Sequence, residues 1–293
     1  MAVEGSIVSV SGGERSAPAG FFLASVILVA GTGVIGCLEP TPFDVDPSEV
    51  DLTAKSLARI AARSPSTNTF KFVAIGDTHD DYSALSAAVA AINTRDDVAF
   101  VIVAGDQTDQ GLLREFELTR DELARLDVPY VTVIGNHDAL SNGPEVYRRM
   151  YGPFDYSFEI GAVKFIVFNS NSLEFPGDVV PDRAWLERQQ SDLDGAASAI
   201  WVTHQEIRRP DDGRDGGGKA FYARLLDEYP VASLVIHGHR LEHRLHRYHD
   251  TPVLQCGTFE MVFTYNLVTV RDGTATDIEI CDLNGCDLPV SLP

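Results

Sequence analysis

Five short motifs carry the side chains of this sequence that are best suited to chemistry. In order they are Asp77-Thr78-His79, Gly105-Asp106-Gln107-Thr108-Asp109, Gly135-Asn136-His137-Asp138, His204 and His237-Gly238-His239. Carboxylate, amide and imidazole groups bind transition-metal ions, and two such ions held close together catalyse hydrolysis. Each motif alone is of a kind that commonly occurs in the turn at the end of a strand. Their ordered combination predicts a two-metal hydrolytic site.

The spacing within the motifs suggests how the ions would be shared. Along an extended turn, Asp77 and His79 point to one side and Thr78 to the other, so the first two can bind the same ion. The two oxygens of Asp106 can bridge that ion to a second one. The second ion would be completed by an amide oxygen and two neutral imidazoles, those of Asn136, His204 and His239.

Three further residues have expected roles beside the ions. His137 directly follows Asn136, so it cannot easily bind the same ion and is better placed to donate a proton or a hydrogen bond to a phosphate. Such assistance is worth on the order of 10² to 10⁴ in rate. We expect Asp138 to orient His137. We expect Asp109 to hold the imidazole of a metal ligand in the tautomer that binds.

The elements that position these motifs are predicted by alternating apolar patterns. Short apolar runs at residues 70–75, 98–104 and 130–134 are separated by helical stretches near 85–92 and 112–126. This β-α-β-α-β series predicts a largely parallel sheet, and ligands of such sheets gather beyond the carboxyl ends of the strands. The first three motifs begin one or two residues beyond such ends.

The second half of the chain predicts a second sheet. Runs at 156–160 and 163–168 flank Gly161-Ala162, a pattern typical of a β-hairpin. Further strands are predicted within 200–203, 234–236, 253–255, 261–270 and 277–280. The segments 143–151, 173–182 and 205–218 are expected to be loops that determine substrate specificity.

The five motifs resemble the pattern of the calcineurin-like metallophosphoesterases, D-x-H, G-D-x-x-D, G-N-H-[DE], H and G-H-x-H, over roughly residues 70–282. The resemblance implies an α/β fold, a four-layer α-β-β-α sandwich of two mixed sheets. It implies a metal-dependent hydrolase of phosphomonoesters or phosphodiesters, in which a metal-bridging hydroxide attacks phosphorus. It assigns Asp77, His79 and Asp106 to the first metal, Asp106, Asn136, His204 and His239 to the second, and His137 to the phosphate. The mixed ligands suit two divalent or trivalent ions of manganese, iron or zinc.

One position departs from the family pattern, because Leu241 stands where the last histidine is expected. Three alternatives follow: water replaces the missing ligand, His243 reaches the ion through a shifted loop, or the first site is weak and one ion is held tightly. Water is favoured, since two residues of strand span about 6.6 Å and would hold His243 too far away. His243, His246 and His249 also raise the alternative of an extra metal site, although the alternating Leu245, Arg247 and Tyr248 predict a surface strand.

A catalytically degenerate binding or scaffold protein is the alternative function, suggested by Leu241. The expected partner of an active enzyme is a phosphate-ester substrate. The formal net charge of −20 would repel a nucleic-acid backbone, so we expect no dedicated nucleic-acid binding. A nuclease would fit the metal ligands but not this charge.

Residues 1–36 are predicted to be a signal peptide of the lipoprotein type. Arg15 precedes a charge-free run at 21–36 that is short for a membrane-spanning helix. The run ends in Val34-Ile35-Gly36-Cys37, which resembles the lipobox of bacterial lipoproteins and implies lipid on Cys37. The mature protein would then be anchored in the bacterial cell envelope, facing the periplasm or the exterior. An uncleaved signal anchor is the alternative.

The rest of the chain divides at residue 70. Residues 37–69 contain four prolines and a capped apolar pattern at 48–63, which predicts a tether with one short helix. Residues 70–293 would form the metallophosphoesterase domain. In an oxidising envelope compartment, Cys281 and Cys286 are the predicted disulfide, and Cys256 is predicted to be a buried free thiol.

Overall fold

The computed structural model of the protein describes residues 44–63, 68–178, 180–206, 217–259 and 264–292. The predicted signal peptide and the lipidation of Cys37 therefore lie outside the described residues. Among the helices that are described, none combines the length and the hydropathy needed to span a bilayer.

A short 3₁₀ turn, Pro47–Glu49, precedes the regular elements of the chain. In chain order these are α1 Leu52–Ala62, β1 Phe70–Ile75, α2 Tyr82–Asn93, β2 Val98–Val103, α3 Leu113–Leu123, β3 Tyr130–Thr132, α4 Gly143–Met150, β4 Tyr156–Ile160, β5 Val163–Val167, α5 Arg183–Ser191, β6 Ser198–Val202, α6 Gly217–Glu228, β7 Ala232–His237, β8 Arg244–Tyr248, β9 Thr251–Gln255, β10 Tyr265–Arg271, β11 Thr274–Asp282, β12 Gly285–Cys286 and β13 Val290–Ser291. Strands and helices alternate through the first half, as predicted.

The strands form two mixed sheets. The first has the order β12-β11-β10-β1-β2-β3, with β13 paired to β11, and the second has the order β4-β5-β6-β7-β9-β8. Strands β1, β2 and β3 are parallel, and so are β5, β6, β7 and β9. Because these strands run in the same direction, their carboxyl ends lie at the same edge of each sheet.

Side-chain alternation along the strands builds three apolar layers. In β1, Val73 and Ile75 face a core shared with α2 and α3, whereas Phe72 faces the core between the two sheets. There Phe72 stacks on Phe100 with ring centroids 5.3 Å apart, and Phe165 of the second sheet meets Phe72 edge-on at 5.4 Å. A third core lies between the second sheet and helices α5 and α6. The predicted four-layer α-β-β-α sandwich of two mixed sheets is confirmed.

The helix predicted between residues 48 and 63 is present as α1 and packs on the sandwich. Ile60 is buried in the core between the sheets, and Val45 is buried in the core under α2 and α3. The backbone N–H of Thr53 donates a hydrogen bond to the carbonyl oxygen of Tyr151 at 3.2 Å. The described part of the predicted tether, 44–63, therefore packs on the domain that it precedes.

The hairpin between β4 and β5 is confirmed, and its turn explains the two-residue connection. Gly161 and Ala162 have φ angles of 55° and 63°, the left-handed pair that a type I′ turn requires. The two strands pair in antiparallel register on either side.

The expectation of a loop at 143–151 is wrong, because these residues form helix α4. Pro144 lies in the first turn, where its missing N–H has no helical partner to lose. Val146, Tyr147 and Met150 are buried on one face. A helical apolar spacing was therefore present, but Gly143-Pro144 and the polar residues around it are typical of loops.

The cysteine predictions are confirmed. Cys281 and Cys286 form a disulfide with an S–S distance of 2.00 Å, and they face each other on paired strands β11 and β12. Cys256 is a buried free thiol. Burial raises the pKa of the Cys256 thiol far above its usual range, so it remains protonated.

Candidate metal centre

The five motifs meet at one edge of the sandwich, where strands of both sheets end. The candidate ligands of the second ion lie together there. The Nε2 atom of His204 is 2.9 Å from Oδ1 of Asn136 and 3.2 Å from Oδ2 of Asp106. The Nδ1 atom of His239 is 2.7 Å from the same Asn136 oxygen. These side chains come from four loops of the two sheets, those after β2, β3, β6 and β7, as the sequence predicted.

The candidate ligands of the first ion lie beside them. Asp77, His79 and Asp106 each offer one donor atom, and the three atoms lie within 4.8 Å of one another. The same limit holds for Asp106, His204 and His239. Asp106 therefore belongs to both groups, which is the arrangement a bridging carboxylate needs.

Three of the candidate ligands have a backbone conformation that residues other than glycine rarely adopt. His79, Asp106 and His239 have φ angles of 44°, 48° and 67°. Each left-handed residue costs of order 1–3 kcal/mol, a cost that the surrounding structure must offset. The strained backbone turns these side chains away from the strand direction and toward one another.

Three glycines lie in direct contact with the candidate ligands. A Cβ atom on Gly105 would lie 2.3 Å from Nδ1 of His204, and one on Gly238 would lie 2.2 Å from Oδ1 of Asp77. A Cβ on Gly135 would lie 2.1 Å from Oδ1 of Asp106. Each glycine of the motifs thus leaves the space that a ligand from another loop fills.

We expect Gly135→Ala to weaken metal binding by about 10-fold, because the added methyl group must displace the carboxylate of Asp106. Isothermal titration of the metal-stripped protein with Mn²⁺ would measure this change. Gly195→Ala is the control for strain without a clash, since the φ of 94° at Gly195 disfavours alanine but a Cβ there meets nothing within 4 Å. Unchanged affinity in Gly135→Ala would show that the Asp106 carboxylate does not determine binding.

Burial and neighbouring charges shift the pKa values of the ionisable groups in the site. Burial raises the pKa of Asp77 to about 7. Burial acts in the same direction on Asp106, but the positive charge and hydrogen bond of His204 outweigh it and lower the pKa of this carboxyl. The two carboxylates in turn raise the pKa of His204 despite its burial. The cluster needs compensating positive charge, and metal ions supply it, so the donor set fits the metals that the motifs predict.

Asp138 does not have its predicted contact. It is fully buried, and its Oδ1 accepts hydrogen bonds from the N–H groups of Gln107 and Thr108 at 2.9 and 3.0 Å. Its Oδ2 accepts one from the N–H of Gly135 at 2.9 Å. The carboxylate therefore joins the loops after β2 and β3. The prediction that Asp138 orients His137 is wrong, because both of its oxygens accept backbone N–H groups, two from the loop after β2 and one from Gly135, rather than a hydrogen of the imidazole.

A backbone carbonyl takes the place expected for Asp138. The Nδ1 atom of His137 lies 2.9 Å from the carbonyl oxygen of Asp109, and the His137 N–H donates to Oδ1 of Asp106 at 2.9 Å. The carboxylate of Asp109 lies 2.7 Å from Nδ1 of His79. The predicted contact between Asp109 and the imidazole of a candidate ligand is confirmed. It leaves Nε2 of His79 facing Asp106 at 4.0 Å.

The structure does not bring His243 to the first ion. Its Nε2 atom lies 2.6 Å from Oδ1 of Asn266, on β10. Among the described residues, no group of three close donors includes His243, His246 or His249. The surface strand predicted for this segment is observed as β8, at the edge of the second sheet. Leu241 is exposed and has no donor atom.

Two positioning residues were missed by the sequence analysis. The buried amide of Asn171 donates a hydrogen bond to the carbonyl oxygen of Ile134 at 2.8 Å, just before Gly135-Asn136. The hydroxyl of Ser170 accepts from the N–H groups of Gln205 and His204 at 2.8 and 3.3 Å. The run of polar residues that follows the apolar strand β5 was the sequence signal that could have identified both residues.

The carboxylate of Asp155 supports this loop and gives it a pH dependence. Its Oδ1 accepts a hydrogen bond from the N–H of Asn169 at 2.7 Å, and burial raises the pKa of Asp155 to about 6. Because this pKa is higher in the folded than in the unfolded chain, the free energy of unfolding should fall as pH rises from about 4 to 6. Asp155→Asn should remove this loss.

We expect Asp155→Asn to raise the free energy of unfolding at pH 7 by roughly 2 kcal/mol and to change it little at pH 4. Urea unfolding at both pH values measures the difference. The control is Asp121→Asn, at an exposed carboxylate on α3. A stabilisation equal at both pH values would exclude the ionisation of Asp155 as its cause.

The sequence was compared with known protein families. Residues 70–243, more than half of the chain, match the model of the calcineurin-like phosphoesterases. A probable glycerophosphodiester phosphodiesterase from Arcobacter nitrofigilis is 24% identical over 216 residues, which cover 66% of this chain and 72% of that protein. A probable cyclic nucleotide phosphodiesterase from Rhodopseudomonas palustris is 40% identical over 80 residues, which cover 23% of this chain and 29% of that protein.

The fold was also compared with solved structures. A purple acid phosphatase from yellow lupin seeds superimposes with a TM-score of 0.59 at 15% sequence identity. The match covers 78% of this chain and 55% of the lupin protein, so the chain spans just over half of that protein's length. At this identity the likeness concerns the fold alone.

Proposed function

We propose that this chain, which belongs to the calcineurin-like phosphoesterase family, is a dinuclear metal-dependent hydrolase of phosphodiesters. A single observation carries the proposal. Asp106 lies within 4.8 Å of two separate groups of donor atoms, one with Asp77 and His79 and one with His204 and His239. A carboxylate shared in this way is what two neighbouring metal ions require.

The residues of the chain have distinct roles in this proposal. Asp77, His79 and Asp106 would hold the first ion, and Asp106, Asn136, His204 and His239 the second. Bound ions of manganese, iron or zinc would polarise the phosphate and lower the pKa of a coordinated water. The carboxylate of Asp109 lies 2.7 Å from Nδ1 of His79, and in this proposal it keeps the hydrogen on Nδ1 and leaves the lone pair of Nε2 for the ion.

His137 is the proposed proton carrier. A carbonyl oxygen only accepts hydrogen bonds, so Nδ1 of His137 must carry a hydrogen where it meets the oxygen of Asp109. Nε2 is then the nitrogen that takes up or releases a proton during the reaction. We propose that it protonates the leaving oxygen. Asp138 acts through the loops, because its four hydrogen bonds hold Asp106 and Asn136 in place.

The preference for diesters is the finer part of the proposal. It is supported by the names of the two relatives, each of which is called a probable phosphodiesterase. A diester carries one negative charge, whereas a monoester carries nearly two near neutral pH. A chain with a formal net charge of −20 repels the diester less.

The test is hydrolysis of bis(p-nitrophenyl) phosphate and p-nitrophenyl phosphate by the chain from Leu38, after metal stripping and re-addition of Mn²⁺, Fe²⁺ or Zn²⁺. We expect turnover that depends on added metal and a higher kcat/KM for the diester. A higher value for the monoester would overturn the preference. Undiminished turnover in the metal-stripped protein would overturn the mechanism.

A binding or scaffold protein is the second candidate, and Leu241 favours it. An exposed leucine where the family pattern has a histidine removes one donor from the first ion. This candidate predicts at most one metal ion bound per chain and no turnover with any metal. Metal analysis of the purified protein by mass spectrometry therefore separates the two candidates.

We also propose that Cys37 carries lipid and anchors the protein in the bacterial envelope. The proposal is supported by Arg15, by the charge-free run at 21–36 and by Val34-Ile35-Gly36-Cys37. Mass spectrometry of the mature N-terminus tests it. Cys37→Ser should release the protein from the membrane fraction, and retention of this variant there would favour the uncleaved anchor instead.

A further inference from the structure

Four exposed leucines follow closely on the loops that carry the metal centre. Leu112 comes three residues after Asp109, Leu140 three after His137, Leu173 two after Asn171, and Leu241 two after His239. Three residues of chain span at most roughly 10 Å, so each leucine Cα lies within about that distance of a residue of the centre.

Exposed large apolar residues are distributed unevenly over the described surface. Seven large apolar residues are exposed there, and four of them are these leucines. The other three, Leu283, Leu288 and Val290, lie near the C-terminus around β12 and β13. Single exposed leucines need no explanation, but four that each lie within three residues of the loops of one site mark a place where apolar groups bind.

Two members of the set come from loops in direct contact. A Cβ atom on Gly111 would lie 2.3 Å from the carbonyl oxygen of Leu140, so the loops after β2 and β3 touch just before Leu112. The N–H of Leu140 donates to the carbonyl oxygen of His137 at 3.1 Å. Leu112 and Leu140 are therefore held beside the candidate proton carrier.

We propose that Leu112, Leu140, Leu173 and Leu241, the leucine collar, bind the hydrocarbon part of an amphiphilic phosphate ester whose phosphate lies at the metal centre. This inference rests on the proposed function and names its substrate class. Two collar leucines follow strands of the first sheet and two follow strands of the second.

The chemistry favours a substrate over other occupants. Each collar leucine lies within three residues of a residue that binds or positions the centre, so the apolar group it binds can belong to the molecule whose phosphate is hydrolysed. An anionic bilayer would be repelled by a chain of net charge −20.

The experiment compares three substrates of the metal-loaded protein, the methyl, butyl and octyl esters of p-nitrophenyl phosphate, below their micelle concentrations. A fully buried methylene is worth up to roughly fourfold in affinity. Partial burial of the octyl chain should raise kcat/KM at least about 10-fold over the methyl ester. Equal values for the three esters would overturn the collar and leave the proposed hydrolysis intact.

Substitution of the collar leucines tests whether they cause the preference for the octyl ester. Combining Leu112→Ser, Leu140→Ser and Leu173→Ser should bring the octyl-to-methyl ratio close to one. The matched control combines Leu283→Ser and Leu288→Ser, because Leu288 is 89% exposed and Leu173 is 84% exposed. The control should keep the ratio of the wild type. A ratio that survives the triple substitution would overturn the collar.

A binding measurement keeps the inference testable if no ester is hydrolysed. Calorimetry of the metal-loaded protein with octylphosphonate and methylphosphonate should show at least about 10-fold tighter binding of the octyl compound, lost in the triple variant. That result without turnover would sustain the collar and refute the proposed function. Equal binding of the two phosphonates would overturn the collar.

Two further outcomes would assign another occupant and overturn the proposal. One is co-sedimentation of the protein with phosphatidylcholine vesicles that is lost in the triple variant, while the wild type shows no preference for the octyl over the methyl ester. The other is a dimer, seen by analytical ultracentrifugation, that dissociates in the triple variant.

Discussion

Asp106→Asn should lower kcat/KM for metal-dependent phosphodiester hydrolysis by on the order of 10³-fold, equivalent to about 4 kcal/mol of transition-state stabilisation. The carboxylate is shared by both groups of candidate ligands. Its Oδ1 also accepts the N–H of His137, so one side chain fixes the ions and the candidate proton carrier. An amide of the same size offers one oxygen and no charge.

The measurement pairs kinetics with metal analysis, because loss of a shared ligand should also reduce the number of bound ions from two toward one. Asp250→Asn, at an exposed carboxylate in the turn between β8 and β9, is the control for loss of a negative charge. An Asp106→Asn protein with wild-type metal content and more than a tenth of wild-type turnover would contradict the bridging role.

Leu241→His should tighten binding of the first ion by roughly 100-fold. Zinc sites of four ligands contribute about 10–16 kcal/mol, so one added imidazole is worth about 3 kcal/mol. The substitution supplies the donor that the family pattern has at this position. The side chain is 56% exposed and follows His239 by two residues, so an imidazole can be accommodated without repacking a core.

Competition of the wild-type and Leu241→His proteins with a chromogenic chelator for Zn²⁺ would measure the change. Leu283→His is the matched control, since Leu283 is 58% exposed and lies on the turn before β12. Equal tightening in both variants would mean that a surface histidine, rather than the missing ligand, binds the added metal. No tightening in Leu241→His would exclude a vacant ligand position at the first ion.

The fold could be predicted from the sequence wherever apolar residues recurred with a single period over several positions. Strands β1 and β2 are buried on both faces, and their unbroken apolar runs mark them in the sequence. Helix α4 was missed because only Val146, Tyr147 and Met150 face the core, in a segment that starts with Gly143-Pro144. A helix of eight residues offers too few turns for its period to stand out.

The role of Asp138 shows where prediction from neighbouring residues fails. Adjacency suggested a contact with His137, but successive residues of a turn point in different directions. Three of the four donors to Asp138 are backbone N–H groups, two of which belong to Gln107 and Thr108, about thirty residues away. Every residue type except proline carries such a group, so the sequence has no signal for which ones converge.

The sequence by itself determined which chemical groups this protein brings to its site and at which strand ends they lie. Ligand chemistry depends on residue type, and strand position depends on local apolar period, so both are written along the chain. Tertiary structure alone decided that the carbonyl of Asp109 meets His137, that Asn266 contacts the imidazole of His243, and that the leucines beside the motifs are exposed. These relations depend on how two sheets pack, and packing joins residues that no local pattern connects.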